Sequence, residues 1–218
     1  MENLDNLLLY LPVLLLSFTA HEFAHAWVAL KQGDDTAYML GRVTLNPAAH
    51  IDPIGSILFP AIGALTGAPV LGWAKPVPTN SRKYRNYRRG DILVSLAGVA
   101  ANFVLVLLFT LLCVGILLVM DAVPAGRDTL GLLWQMLVRG ILLNVGLILF
   151  NLIPIPPLDG SHVLYHYLPP RLGAQYRQLY PYGMFILWGL VLLGGFNFLG
   201  PAIFGVASVF LRVAGAAV

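Results

Sequence analysis

Phe18-Thr19-Ala20-His21-Glu22-Phe23-Ala24-His25-Ala26-Trp27 sits inside an apolar run that begins at Leu7 and ends at Leu30. On a helix, His21 and His25 stand four residues apart and project from one face, so both imidazoles can reach one metal ion while Glu22 lies beside it. At about 1.5 Å per residue the run spans roughly 36 Å, enough to cross a hydrocarbon core. The metal motif is therefore expected within a membrane helix.

Two imidazoles with an adjacent carboxylate are the set with which a zinc hydrolase activates water. A bare match to this pattern also occurs by chance in helices that bind nothing. Here the chain has two glutamates, Glu2 and Glu22. A carboxylate between two histidines is costly in lipid without a task, which favours the metal reading.

Composition agrees with a membrane setting. Of 218 residues, 58% are hydrophobic and 11% charged, against about 25% charged in a soluble protein. The formal charge of +3 comes largely from one loop and speaks of orientation in a membrane, with no nucleic acid implied. Cys113 is the one cysteine and cannot form an intramolecular disulfide. The N-terminus, Met1-Glu2-Asn3-Leu4-Asp5, is acidic where a signal peptide is basic, so the first helix is expected to persist.

The pattern predicts an all-α, multi-pass helical bundle forming a single domain over 1–218, with full spans at about 6–30, 92–120, 131–153 and 182–199. The first span ends at Lys31-Gln32-Gly33-Asp34-Asp35, a polar stop with a glycine suited to a helix C-terminus. Residues 37–47 contain β-formers and read as extended chain. Residues 51–74 are apolar but broken by Pro53, Gly55, Pro60, Gly63, Gly67, Pro69 and Gly72, and are expected to make a re-entrant or hairpin excursion. The loop from Lys75 to Arg89 carries six basic residues, which places it and the nearby site on the cytoplasmic side. Small residues from Ser95 to Ala101, with Asn102, suit close helix contact and interhelical hydrogen bonding.

A zinc hydrolase needs a third protein ligand beside two histidines. Asp159, after the proline run 154–157, is the best candidate, with helix N-capping as the alternative reading. His162 and His166 repeat the four-residue spacing without an adjoining glutamate. They read as decoration of a short helix, with a second ligand pair as the rival reading. His50 reads as a loop histidine.

The pairing of His21-Glu22-Phe23-Ala24-His25 with Asn151-Leu152-Ile153-Pro154-Ile155-Pro156-Pro157-Leu158-Asp159-Gly160 resembles the site-2 protease family of intramembrane zinc metalloproteases, peptidase family M50. The likeness covers most of the chain up to Gly160, in the short, core-only form without PDZ or CBS domains. It implies one zinc ion per chain held by His21, His25 and Asp159, Glu22 as catalytic base, and Asn151 engaging substrate backbone or the oxyanion. It further implies a transmembrane protein or peptide as substrate and a prokaryotic cell membrane as location. The ligand types suit zinc, with iron and cobalt left open. The alternatives are a membrane metal transporter and a catalytically silent protein that binds transmembrane segments.

Overall fold

A computed structural model describes residues 2–66, 72–122 and 126–216. Helix α1 (Glu2–Gln32) carries the motif through the whole apolar run. It stops where expected: Gly33 takes φ 108°, its N–H bonds the Leu30 carbonyl, and the Asp34 N–H bonds the Ala29 carbonyl. Only glycine enters this left-handed region at no steric cost.

The extended chain expected over 37–47 fails at its start, though Asn46 near its end is extended. The buried Asp34 accepts from the Thr36 N–H at 3.0 Å and the Thr36 hydroxyl at 2.5 Å, and a one-turn helix, α2 (Thr36–Met39), follows. A side-chain oxygen that satisfies the first amide of a turn overrides the β preference of the residues after it. Among the described residues there is no strand.

The 51–74 excursion begins with Asp52, whose Oδ1 accepts from the amides of Ile54 and Gly55. This caps a π-helical turn, Pro53–Leu58, which runs into α3 (Phe59–Thr66). Residues 67–71 lie outside the described residues. The chain comes back to its start: the Trp73 N–H bonds the Gly55 carbonyl and the Lys75 N–H bonds the His50 carbonyl. A Cβ on Gly55 would lie 2.4 Å from the Trp73 ring, so the return path is as close as it is because that residue has no side chain.

Helices α4 (Tyr87–Ala122) and α5 (Arg127–Asn151) have 36 and 25 residues, roughly 54 and 37 Å of helix. With α1 they are the three helices long and apolar enough to cross a membrane among the described residues. Their core joins Val13 of α1, Val106, Phe109 and Cys113 of α4, and Ile141 and Val145 of α5. Gly140 lets α5 approach closely, since a Cβ there would lie 2.7 Å from Phe109 and 2.8 Å from Val13.

After α5 the proline run is a series of turns rather than extended chain: the Ile155 N–H bonds the Ile153 carbonyl and the Leu158 N–H bonds the Ile155 carbonyl. Two short helices follow, α6 (Asp159–Tyr165) and α7 (Pro170–Arg177). The single span expected over 182–199 is replaced by two pieces, α8 (Gly183–Leu192) and α9 (Leu199–Val213). The chain turns at Gly194, with φ 72°. The ten residues of α8 cover about 15 Å, half of a hydrocarbon core. Ala207, Leu211 and Ala214 bury α9 and its end against the α4–α5 core.

Candidate metal centre

Two elements far apart in the chain, α1 and α6, meet at one point. His21 and His25, one turn apart on α1, place their Nε2 atoms 2.9 Å from each other. The Asp159 Oδ2 at the start of α6 lies 3.3 Å from His21 Nε2 and 3.5 Å from His25 Nε2. All three ligand atoms lie within 4.8 Å of one another.

The protonation of the imidazoles follows from their other nitrogens. His25 Nδ1 is 2.7 Å from the Val94 carbonyl, which can only accept, so Nδ1 carries the hydrogen and Nε2 keeps its lone pair. His21 Nδ1 is 2.5 Å from Asn102 Oδ1, with the same consequence. Two lone pairs and a carboxylate oxygen thus face one another in a buried place. Asp159 Oδ2 is buried with no hydrogen-bond partner among the described residues. Such a set repels itself unless a cation lies among its members, and two imidazoles with a carboxylate are ordinary zinc ligands. The donor set fits zinc.

The backbone around these residues is shaped to the same end. A Cβ on Gly98 of α4 would lie 2.5 Å from His21 Nε2 and 2.6 Å from His25 Nε2. Glycine at that position is what lets both imidazoles, set edge to face at 82° to each other, come this close to α4. At Gly160 a Cβ would lie 2.3 Å from the Leu152 carbonyl oxygen, so the start of α6 packs directly onto the end of α5. The N-cap reading of Asp159 is overturned: Leu158 holds the cap position and Asp159 is the first helical residue. Its carboxylate is turned to the imidazoles instead.

Glu22 is half-buried, and its Oε2 accepts the Val77 N–H at 2.7 Å. Val77 belongs to the segment 72–80, whose alternate amides at Trp73, Lys75 and Val77 bond Gly55, His50 and Glu22 in turn. The same segment is held at its end by the Asn80 N–H on Asp34 Oδ2, at 2.5 Å. Asn151 ends α5, where its Nδ2 donates to the Leu147 carbonyl of its own helix at 3.0 Å.

The remaining histidines are accounted for without a metal. His166 Nε2 lies 2.7 Å from Asp91 Oδ2 and His162 Nδ1 lies 3.5 Å from it. The pair thus ties α6 to the first turns of α4. His50 is buried, with Nε2 bonded to the Thr44 carbonyl at 2.9 Å. It knots a loop, as a loop histidine can. Sequence reasoning named the three residues that converge here, and Glu22 beside them, but missed Gly98 as a steric requirement and the Val77 amide as a partner of Glu22. Gly98 stood in the run of small residues noted above, and nothing local marked it out from its neighbours.

The comparisons with known proteins agree with this geometry. The chain is 40% identical over 186 residues to YwhC, a candidate zinc metalloprotease of Bacillus subtilis, covering 83% of this chain and 79% of that one. The chain belongs to the site-2 protease family, peptidase family M50. Rip2 of Mycolicibacterium smegmatis and Rip2 of Mycobacterium tuberculosis, also candidate zinc metalloproteases, are 31% and 32% identical, each covering over 80% of this chain. The chain spans 66% of the length of either Rip2. No family model matches the chain. No solved structure matches it.

Proposed function

We propose that this protein is an intramembrane zinc endopeptidase that hydrolyses peptide bonds within or next to transmembrane segments, its site opening toward the cytoplasmic side. The observation that carries the reading is that Asp159 of α6 meets His21 and His25 of the apolar helix α1, beside Glu22. Zinc held by the three ligands supplies the positive charge that acidifies a water molecule and polarises a peptide carbonyl.

The chain's own residues supply the rest. Glu22 accepts the proton that water loses on attacking the carbonyl carbon, and returns it to the departing amine nitrogen. The Val77 N–H holds one Glu22 oxygen, at 2.7 Å, leaving the other for that proton. Asn151, by turning its amide from the Leu147 carbonyl to substrate, stabilises charge on the carbonyl oxygen. A substrate helix hides its carbonyls in hydrogen bonds and must unwind before it can react. The segment 72–80 is a poor template for adding it as a strand: Pro76 and Pro78 remove N–H donors, and the amides of Trp73, Lys75 and Val77 are already engaged.

A transporter would need polar groups free along a path from the ligands to the far side. Asn102 and Asn144 instead bond each other at 2.7 Å, which favours the hydrolase. Reconstituted protein offered single-span substrates, zinc-loaded or chelated, tests the reading. Cleavage is expected only with zinc, and metal flux without cleavage overturns the reading. Glu22→Gln is expected to bind one zinc per chain and to lose at least about a thousandfold in rate. Turnover near the parent's rate by that variant removes Glu22 as the base.

A further inference from the structure

His21 is the first member of a buried polar chain that crosses all three long helices. Its Nδ1 lies 2.5 Å from Asn102 Oδ1. Asn102 Nδ2 donates to Asn144 Oδ1 at 2.7 Å. Asn144 Nδ2 donates to Ser17 Oγ at 2.9 Å and to the Gly140 carbonyl at 2.8 Å, and Ser17 donates to the Val13 carbonyl at 2.7 Å. Ser17, Asn102 and Asn144 are all 0% exposed.

An asparagine amide can present either its oxygen or its NH2 to a neighbour, and the shape of the two choices is nearly the same. If Asn102 presented its NH2 to His21, Nδ1 would become the acceptor and the hydrogen would move to Nε2, abolishing the lone pair that faces Asp159. The direction is decided further along. The Gly140 carbonyl can only accept, so the Asn144 NH2 must face it. Asn144 Oδ1 then faces Asn102 and demands the NH2 of that residue, which leaves Asn102 Oδ1 for His21.

We propose that the Gly140 carbonyl, Asn144 and Asn102 form a relay that fixes the tautomer of His21 and keeps its Nε2 free to bind the metal. Asn102 and Asn144 are positioning residues: they act through His21 and touch no substrate. The inference rests on the zinc-site reading above, and its test keeps the two apart by measuring metal binding without cleavage.

The parent for the test is the full chain carrying Glu22→Gln, which is read by zinc competition against a chromophoric chelator and by the visible spectrum of the cobalt-loaded protein. Asn102→Ala is expected to lower zinc affinity by about 10- to 100-fold and to alter the cobalt spectrum. Asn102→Asp is expected to recover part of the affinity lost in Asn102→Ala, because a carboxylate oxygen still accepts from His21 Nδ1–H whichever way it turns, although it gives up the NH2 that Asn144 Oδ1 takes. Asn144→Ala is expected to cost about tenfold in the parent and nothing further in the Asn102→Asp background. Equal loss in both backgrounds means a packing role and overturns the relay, as does an Asn102→Ala variant that binds zinc like the parent. A parent that binds no zinc sinks the metalloprotease reading itself.

Discussion

An imidazole can ligate a metal only through the lone pair it presents, and two carbonyl-type oxygens, on Val94 and Asn102, decide which nitrogen of His25 and of His21 keeps one. The same economy holds at Gly98, where the absence of one carbon makes room for both rings. Gly98→Ala would put a methyl group 2.5 Å from His21 Nε2 and force one imidazole to move by about an ångström. A displacement of that size costs about 100-fold in rate, and zinc affinity is expected to fall at least tenfold. Isothermal or chelator titration of the purified variant checks this. Affinity equal to the parent's would mean that α4 yields at that point.

At the scale of elements, the question is what delivers Asp159 to the imidazoles. α6 has seven residues, too few to hold itself in water or lipid. It is held from two sides. Gly160 seats it against the end of α5, and Asp91 of α4 binds His166 at 2.7 Å and faces His162 at 3.5 Å. Asp91→Ala leaves two imidazoles without their partner, and loss of a buried partner costs about 1–3 kcal/mol. A lower melting temperature in detergent and about tenfold weaker zinc binding are expected. His166→Ala should give a similar loss, and the double variant should fall short of the sum, because both remove one contact. Full additivity would show that the two side chains support α6 independently. Away from the membrane helices, Lys83 donates to Asp35 at 2.6 Å and holds that exposed carboxyl below its usual range, tying the end of α1 to the loop that leads into α4.

For the whole molecule, a metal held by His21, His25 and Asp159 would crosslink α1 to α6, more than a hundred residues away. A ligand bound only by the folded state stabilises it by about 2.7 kcal/mol at a hundredfold excess over its dissociation constant. Chelation is therefore expected to lower the melting temperature, and readdition of zinc to restore it. His21→Ala should melt like the chelated parent and gain nothing from zinc. A chelated parent that melts unchanged would mean that protein contacts alone close the site. Much of this was legible beforehand, because it depends on local spacing. A four-residue step puts His21 and His25 on one face, an apolar run of membrane length predicts α1, α4 and α5, and Gly33 marks the end of α1. Taken alone, Asp159 read more readily as a helix cap than as a ligand, and it was the pairing with the early histidine motif, through the family resemblance, that pointed to the metal. The rest depended on contacts between distant residues. Asp34 turned 36–39 into a helical turn, Gly194 cut the last expected span into α8 and α9, and Gly98, Asn144 and the Val77 amide gained their roles only through what came to face them. Spacing along a helix fixes which side chains share a face. Which carbonyl, amide or missing methyl lies opposite that face is set by packing between helices, where an ångström separates a ligand from a clash.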